Sequence, residues 1–502
     1  MRDHLPFSHK QYQLPTSRER EREMKGVEGR RFVVTGGMGY VGSTLCLELL
    51  RRGAAEVRCF DFRRSSPWAP LLLDAGVRCI HGDVTCKDNV ERAFNGVDCV
   101  LHLASFGMSG KEMVQTRRVE EVNIKGTCNV LDACHEASVK RLVYVSTYNV
   151  VFGGQEIING DESMDYFPID AHVETYGRTK SVAEQLVLKS NGRPSKNQVQ
   201  SCLYTCAIRP GAIYGPGEER HLPRILSLAK AGLLLFKIGD ASIKTDWVYL
   251  DNLVHAIILA SAGLSVDVPD KEGMPISAGQ AYFICDGEPV NTSKFLIHPL
   301  LESLDYHIPR ITLSVPLLFF VSRIFLFIYT TILSPVLHLR CIPEPLLLPA
   351  EVYKVGITHH FSIKKAREEL GYTPLVSPQD GLAATIIYWR DRKRRELDGP
   401  PIFVWFAIIF GMIATFAAAF LPPVGPVKPV RALGLLIFRS VLALKILFVV
   451  AVGLHLGEGA YAWFLARKVD PTNAVGWFWQ TVALGFPSLR LLLKRARTSF
   501  VS

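Results

Sequence analysis

A tyrosine and a lysine four residues apart are the side chains in this sequence best suited to acid–base chemistry. Tyr176 and Lys180 frame the run Tyr-Gly-Arg-Thr-Lys, and on a helix such a pair lies on one face, one turn apart. A phenol with its ordinary pKa of about 10 is a poor base at neutral pH, but a nearby ammonium group favours the phenolate and lowers that pKa. Such a pair can remove the proton of a hydroxyl group while a hydride leaves the carbon that carries it.

Two hydroxyl side chains precede this pair, at the end of a predicted strand. Ser146 and Thr147 follow a short apolar run, and either hydroxyl could orient a substrate oxygen toward Tyr176. The Tyr-x-x-x-Lys spacing is common by chance, so its weight depends on this strand and on the elements around it. We predict four catalytic residues: Tyr176, Lys180, Thr147 and Ser146.

A glycine-rich turn after the first predicted strand is typical of dinucleotide-binding folds. Residues 35–42 read Thr-Gly-Gly-Met-Gly-Tyr-Val-Gly and lead into a predicted helix. Small residues there let the backbone approach a pyrophosphate, and the helix N-terminus offers free N–H groups to the phosphates. The predicted cofactor contacts in this turn are Gly36, Gly39, Tyr40 and Gly42.

Further predicted cofactor contacts follow the second, third and fourth strands. Asp61 lies 19 residues after Gly42, where a carboxylate binds the adenosine ribose hydroxyls and repels a 2′-phosphate. This position predicts NAD as the cofactor, although Arg63 and Arg64 could instead accept the 2′-phosphate of NADP. Asp83 and Val84 are predicted to hold the edge of the cofactor's adenine ring, and Ala104 is predicted to line the cofactor cleft.

Alternating short apolar runs and amphipathic stretches predict an α/β fold. The predicted strands are residues 31–35, 57–60, 77–80, 98–103, 142–146 and 204–208. Strands that alternate with helices indicate a Rossmann-like, doubly wound parallel sheet. We predict a flexible leader at 1–29, a cofactor-binding Rossmann domain with part of the substrate lobe at 30–300, and the rest of a smaller C-terminal substrate lobe at 301–398. Residues 361–370 predict an amphipathic helix.

The bulk composition indicates that part of the chain lies in a membrane. Hydrophobic residues make up 48% of it, mean hydropathy is +0.18 and the net charge is +10. Residues 402–421 contain no charge, are long enough to cross a bilayer and follow the basic run 390–395, which is typical of a cytosolic end. We predict an all-α, multi-span transmembrane region at 399–502, with further candidate spans at 446–466 and 475–493.

Three features of the predicted membrane segments are compatible with more than one interpretation. The apolar segment 311–339 contains Pro316, Arg323 and Pro335, so a transmembrane helix and a buried or interfacial helix are both compatible with it. Three crossings after residue 400 would put the basic C-terminus opposite the basic run 390–395, against the positive-inside tendency. His455 and Glu458 share a helix face inside a candidate span, where an interhelical hydrogen bond is the simpler interpretation and a functional site the alternative.

Taken together, these motifs resemble an extended short-chain dehydrogenase/reductase of the 3β-hydroxysteroid dehydrogenase and sterol 4-carboxylate dehydrogenase branch, and within it family 42E. The residues that carry the resemblance are 35–42, Asp61, 102–110, 145–147, 152–154, 159–162, 176–180, 207–210 and 213–218, within about 30–385. It implies Tyr176 as proton acceptor, Lys180 on the nicotinamide ribose, and Thr147 in preference to Ser146 as the hydroxyl residue. It also implies that Arg209 and Pro210 border the nicotinamide.

The resemblance implies an NAD-dependent oxidoreductase acting on a steroid or sterol alcohol. The expected partners of the protein are that substrate and membrane lipid, and a homodimer is a possible assembly. Neither nucleic acid nor a metal ion is expected to bind. Residues 454–463 resemble a small family of multi-pass membrane proteins, similar to the scaffold of sterol demethylation. We expect the protein to be located in the endoplasmic reticulum membrane, with its catalytic domain facing the cytosol. The alternatives are an epimerase or dehydratase acting on another substrate, and a non-catalytic NAD-sensing membrane scaffold.

Overall fold

The computed structural model describes residues 26–196, 201–265, 274–333, 345 and 347–499. The predicted leader lies outside this range as far as residue 25. The chain divides into two compact units, each taken by itself below. The first contains the described residues of Met1–His221, Phe236–Ile297 and Ile311–Thr385, and the second those of Leu222–Leu235, His298–Arg310 and Ile386–Ser502.

A parallel sheet forms the centre of the first unit. Its strands in chain order are β1 (Arg31–Thr35), β2 (Glu56–Asp61), β3 (Arg78–His81), β4 (Cys99–His102), β5 (Arg141–Val145), β6 (Ile157–Gly160), β7 (Arg193–Pro194), β8 (Cys202–Pro210), β9 (Ala212–Tyr214), β10 (Phe236–Ile238), β11 (Trp247–Tyr249), β12 (Ala281–Ile284), β13 (Ile311–Leu313) and β14 (His359–Phe361). The main sheet has the order β12-β8-β5-β4-β1-β2-β3 with parallel pairs throughout, and β7 adds to β8 antiparallel. Three two-stranded pairs, β10-β13, β11-β9 and β14-β6, lie outside it.

Helices cover both faces of this sheet, so its strands are buried on both sides, as parallel strands require. The helices of the first unit are α1 (Tyr40–Arg51), α2 (Ala69–Asp74), α3 (Lys87–Phe94), α4 (Thr116–Glu120), α5 (Gly126–Glu136), α6 (Thr175–Lys189), α8 (Leu250–Gly263), α10 (Val315–Ile328) and α11 (Pro349–Gly356). The numbers α7 and α9 belong to helices of the second unit, described below. One apolar core packs α1 and α8 on one face, and a second packs α3, α5 and α6 on the other. The doubly wound fold is therefore confirmed.

Two predicted element boundaries, the end of the strand at 142–146 and the start of the helix at 361–370, differ from the observed ones. β5 ends at Val145, yet the Ser146 N–H still donates to the Ile208 carbonyl at 2.7 Å. The helix predicted at 361–370 was wrong at its start, because Phe361 belongs to β14 and its N–H donates to the Asp246 carboxylate at 2.6 Å. The helix begins only at residue 364.

The second unit is helical. Its helices are α7 (Leu222–Ala231), α9 (His298–Ser303), α12 (Pro378–Arg395, which starts in the first unit), α13 (Ile402–Phe420), α14 (Val427–Phe438), α15 (Val441–Val469), α16 (Ala474–Leu484) and α17 (Phe486–Ser499). Two of them, α13 and α15, are long and apolar enough to cross a membrane. The candidate span at 475–493 was wrong as one helix, because Gly485, with φ of +64°, separates α16 from α17.

The apolar segment at 311–339 forms a strand and a largely exposed helix. The stretch Val315–Ile332 is also long and apolar enough to cross a membrane. It does not have the buried position that one interpretation gave it, because Phe320, Ile324 and Phe327 point outward with about half or more of their surface exposed. Residues 334–339 lie outside the described part of the chain.

Candidate active site

The glycine turn holds backbone against backbone at the C-terminal edge of the sheet. Gly36 has φ of +70°, and a Cβ there would lie 3.0 Å from the backbone of Ala104, which follows β4. A Cβ at Gly42, in the first turn of α1, would clash with the carbonyl oxygen of Gly36. Only glycine fits these positions, and the result is a side-chain-free cradle beside a helix N-terminus, which suits a pyrophosphate.

Asp61 ends β2 and fixes the loops on either side of this cradle. Its carboxylate accepts the Met38 N–H at 3.0 Å and the Arg63 N–H at 2.9 Å. The Arg63 guanidinium also approaches it, with Nε at 3.3 Å, and reaches within 3.2 Å of the position that a Cβ on Gly39 would take. The same carboxylate that would receive ribose hydroxyls therefore restrains the arginine that could receive a 2′-phosphate.

The loop after β3 is ordered by Asp83. This carboxylate accepts hydrogen bonds from the Thr85 N–H and hydroxyl at 2.9 and 2.8 Å and from Arg118 at 2.9 Å. Burial alone would raise the pKa of Asp83, but these donors and the Arg118 charge lower it overall. Val84 packs beside Gly126, where a Cβ would lie 2.8 Å away. The side chain of Asp83 is thus already engaged, so contacts from this loop to a cofactor would fall to its backbone and to Val84.

Tyr176 and Lys180 lie one turn apart on α6 and both are buried. The Lys180 ammonium donates to the carbonyl of Val145, the last residue of β5, at 2.6 Å and lies 4.0 Å from the centre of the Tyr144 ring. Burial lowers the pKa of Lys180 to about 7. The helix therefore presents both predicted catalytic residues at the end of the central strands.

The expected lowering of the tyrosine pKa is not what the structure shows. Burial raises the pKa of Tyr176 to about 12, the Arg220 charge and the Ser105 hydroxyl lower it, and Glu174 raises it. The expectation fails because the Lys180 ammonium is held by the Val145 carbonyl, and its own charged form is disfavoured by burial. Lowering the phenol pKa requires that ammonium to be charged and turned toward the tyrosine.

The two predicted hydroxyl residues have different surroundings. Thr147 accepts hydrogen bonds from the Asn149 N–H at 3.2 Å and from its side-chain amide at 2.8 Å, which caps the turn Tyr148–Val150. The Ser146 hydroxyl is buried and has no hydrogen-bond partner within the described residues. The structure thus leaves the Ser146 hydroxyl available, whereas the family resemblance favours Thr147.

Two polar residues near the tyrosine were not predicted as catalytic. Asn123 is buried in a widened helical turn, Glu121–Lys125, and its side chain bonds both the N–H and the carbonyl of Phe106 at 2.9 Å and the Thr179 hydroxyl at 3.0 Å. It ties the loop after β4 to α6. That loop brings the Ser105 hydroxyl to Tyr176. An asparagine inside a predicted helix, away from its ends, is the only sequence signal that could have found this link.

Arg209 does not line the cleft with its side chain. Its guanidinium is buried, donates to Glu184 on α6 at 2.6 and 2.9 Å, and stacks near the rings of Tyr166 and Phe283. The arginine and its carboxylate partner are among the most deeply buried charges of the first unit. Pro210 ends β8 at the sheet edge, opposite Ile284. The structure therefore separates this predicted pair: Pro210 remains at the edge, and Arg209 stabilises the interior.

Charged residues also surround the tyrosine on the side away from the sheet. The Lys354 ammonium, on α11, lies 5.9 Å from the centre of the Tyr176 ring and pairs with Glu174 at 2.7 Å. Arg220 pairs with Glu112 at 3.2 Å. These two ion pairs were not anticipated, because Lys354 and Arg220 are far from Tyr176 in the sequence.

Comparison with known protein families yields two matches along the chain. Residues 33–317 match the 3-beta hydroxysteroid dehydrogenase/isomerase family. Residues 403–494, which include the segment 454–463, match the model of Transmembrane protein 254.

Individual proteins resemble the chain over most of their own length. "Short-chain dehydrogenase/reductase family 42E member 1" of Danio rerio is 46% identical over 344 residues, 68% of this chain and 84% of that protein. A "3-beta-hydroxysteroid dehydrogenase" of Mycolicibacterium neoaurum is 35% identical over 367 residues, covering 72% and 92%. The solved structure of DesIV, a dTDP-glucose 4,6-dehydratase from Streptomyces venezuelae with NAD and DAU bound, superposes with a TM-score of 0.55 at 24% identity, covering 72% and 98%.

Proposed function

Because the chain belongs to the 3-beta hydroxysteroid dehydrogenase/isomerase family, we propose that it is a membrane-bound, NAD-dependent oxidoreductase that oxidises the CH–OH group of a steroid or sterol. The observation that carries the proposal is the buried pair Tyr176–Lys180 at the same sheet edge as the glycine cradle. A relative named as a 3-beta-hydroxysteroid dehydrogenase supports the substrate class.

The residues of the cleft fit a dinucleotide. The cradle at Gly36 and Gly42 has no room for a Cβ, and Asp61 offers a carboxylate at the end of β2. These residues would hold the pyrophosphate and the adenosine ribose, with Val84 and Ala104 lining the cleft and Lys180 reaching the nicotinamide ribose. When bound, NAD⁺ supplies a hydride acceptor for the carbinol carbon.

The chain's own residues handle the proton. The phenolic oxygen of Tyr176 takes the proton from the substrate hydroxyl, and the Ser105 hydroxyl beside it helps to hold the phenol in place. The unused hydroxyl of Ser146 orients the substrate oxygen, with Thr147 as the alternative. Asn123 bonds both the loop after β4 and the helix α6, and so fixes the position of one relative to the other.

An alcohol dissolved in the membrane suits the surroundings of this site. One face of α10 exposes a row of large apolar side chains, while the other packs on α11, where Phe319 stacks on Tyr353 with ring centres 4.5 Å apart. The next residue of α11, Lys354, lies beside Tyr176. Strand β13 before α10 and strand β14 after α11 belong to the same unit, so we propose that α10 dips into one face of the bilayer instead of crossing it.

The proposed activity is tested on the full chain in lipid nanodiscs. With NAD⁺ and a panel of 3β-hydroxysteroids and hydroxysterols, we expect NADH absorbance to grow with at least one member of the panel. A sugar nucleotide that is converted with no net NADH, while the steroids stay unchanged, would favour the epimerase or dehydratase alternative. Binding of NAD⁺ with no product from either class would favour the NAD-sensing scaffold.

Replacing Asp61 by serine is expected to shift the cofactor preference. The substitution removes the negative charge that would repel a 2′-phosphate and releases the Arg63 guanidinium to accept one. We expect kcat/KM to fall with NAD⁺ and to rise with NADP⁺, for a combined change in preference of about tenfold or more. Arg64→Ala is the matched control, since that residue makes no comparable contact with Asp61; an unchanged preference in Asp61→Ser would contradict the assignment.

We also propose a topology in which both basic ends of the membrane region face the cytosol. In this topology α13 and α15 cross in opposite directions, since Phe420 at the end of α13 packs on Phe448 near the start of α15 with ring centres 5.6 Å apart. Arg495 near the C-terminus returns to Asp470 at the end of α15, with Nη1 3.0 Å from the carboxylate. An acceptor loop for N-glycosylation inserted at residue 424 should be modified, whereas one appended after residue 502 should not. Glycosylation at the C-terminus would contradict this arrangement and restore an odd number of crossings.

A further inference from the structure

The last two helices of the chain form a hairpin that turns back within the second unit. The hairpin consists of α16, Gly485 and α17. Its arms are joined by a hydrogen bond between the Thr481 and Ser488 hydroxyls at 2.9 Å, and both pack on α15 through Ala462, Ala466, Trp477 and Leu492. Its open end is fixed at Asp470, whose carboxylate accepts from Trp477 at 2.9 Å and pairs with Arg495.

The tip of the hairpin stops halfway along α15. That helix has 29 residues, a length of about 43 Å, whereas the arms have 11 and 14 residues and reach only about 16–21 Å. Glycine permits the close approach, because a Cβ at Gly459 would lie 2.5 Å from the Val482 side chain. If α15 crosses the bilayer, the tip lies near its centre, between Lys445 at one end of the helix and Arg467 at the other.

Two ionisable side chains of α15 converge on this tip. A Cβ at Gly485 would lie 2.8 Å from His455 Nε2 and 3.0 Å from a carboxylate oxygen of Glu458. The His455 Nδ1 donates to the Val482 carbonyl at 3.0 Å, which is the interhelical hydrogen bond expected as the simpler interpretation. Over the described residues, no partner bonds to His455 Nε2 or to the Glu458 carboxyl group.

Unsatisfied polar atoms are costly in hydrocarbon, so these two groups need a partner there. Nδ1 carries the proton given to Val482, and one further proton held by either Nε2 or the carboxyl group makes one of these two groups a donor and leaves the other an acceptor. A hydroxyl group donates one hydrogen bond and accepts another, so one hydroxyl oxygen can satisfy both atoms, whereas a ketone or an ether oxygen satisfies only one.

We propose that His455, Glu458 and the gap at Gly485 form a binding site for the hydroxyl group of an alcohol dissolved in the membrane. Beside the tip, Leu454, Leu456 and Phe486 are each half or more exposed and give the surface an apolar character, so lipid can reach the gap there. The site lies outside the dehydrogenase cleft. The inference rests on the proposed function only for the class of its ligand, a membrane alcohol.

The test uses the full chain in nanodiscs and a diazirine-bearing photoreactive cholesterol. We expect labelled peptides to map to residues 451–464 or 482–489 and labelling to be reduced by unlabelled cholesterol. The methyl ether and the 3-ketone of cholesterol should compete about tenfold less well, because each leaves one polar atom unsatisfied. Hexadecanol as a competitor separates a general alcohol site from a sterol site. Equal competition by the ether, or no label in these peptides, would overturn the proposal.

Variants separate the polar contacts from the fold of the hairpin. Glu458→Met should reduce labelling about tenfold, while Glu458→Gln, which keeps a donor, should retain it. Gly457→Ala on the same helix is the control, since a Cβ there meets nothing within 4 Å. Loss of labelling in Glu458→Gln, or its retention in Glu458→Met, would contradict the hydroxyl assignment. Tyr176→Phe should keep the label, so a failure of the proposed dehydrogenase activity is distinguishable from a failure of this site.

Discussion

Replacing Tyr176 by phenylalanine is expected to lower kcat/KM for alcohol oxidation by about 10³-fold, the scale of a lost general base. The substitution removes one oxygen atom from a buried ring and leaves the ring in place beside Lys354. Because Lys180 and the glycine cradle stay intact, we expect affinity for NAD⁺ to change by less than about twofold. Initial rates of NADH formation and a separate titration of NAD⁺ binding measure the two effects.

The matched control for this substitution removes the same atom elsewhere in the first unit. The Tyr282 hydroxyl donates to Glu369 at 2.7 Å, on the side of the sheet that packs α1 and α8, so Tyr282→Phe should lose stability and keep its turnover number. If both variants lost activity equally, the effect of Tyr176→Phe would reflect the fold and not proton transfer. Full activity in Tyr176→Phe would remove the tyrosine from the mechanism.

The pH dependence should report the same phenol. Burial raises the pKa of Tyr176 to about 12, so the phenol is protonated at neutral pH and only a small fraction is available as base. Alcohol oxidation should therefore accelerate with rising pH, by up to about tenfold per unit, until the apparent pKa of the complex is reached. A charged Lys180 turned toward the phenol would make the rise level off earlier. The Tyr176→Phe variant should show no such rise.

The sequence predicts the position in the fold of those candidate site residues that depend on short, local patterns. The glycine turn follows β1, Asp61 ends β2, and Tyr176 and Lys180 share α6, so each lies where the local pattern of the sequence places it. Charges brought together from distant segments were not found. The pair Glu174–Lys354 joins residues 180 positions apart, and no local pattern in the sequence connects them.

The membrane region shows a second limit of local patterns. Hydropathy identified 402–421 and 446–466 as apolar stretches, and both lie within or largely on single helices, α13 and α15. Hydropathy also favoured a continuous span at 475–493, because it depends on the polarity of the side chains and not on the backbone conformation at Gly485. The break turns the chain back and brings Arg495 to Asp470, and the proposed two-crossing topology built on this return agrees with the positive-inside tendency.

Arg209 was predicted to border the nicotinamide, and its burial against Glu184 predicts a different phenotype. Arg209→Met leaves a carboxylate uncompensated in the interior, so we expect the free energy of unfolding of the first unit to fall by about 3–5 kcal/mol. The fraction that stays folded should bind NAD⁺ with affinity within about twofold of the unaltered protein. Thermal unfolding of the full chain in detergent, followed alongside NAD⁺ titration at low temperature, measures both quantities.

The double variant Arg209→Met/Glu184→Met decides between the two roles of the arginine. Removing both charges leaves an apolar contact beside Tyr166 and Phe283, so the double variant should regain a large part of the stability that the single variant lost. If the arginine instead held the nicotinamide, both variants would lose NAD⁺ affinity to the same extent, and the second substitution would restore nothing. Recovery of stability with unchanged NAD⁺ affinity would place Arg209 in the support of α6, the helix that carries Tyr176 and Lys180, and outside the cofactor's direct contacts.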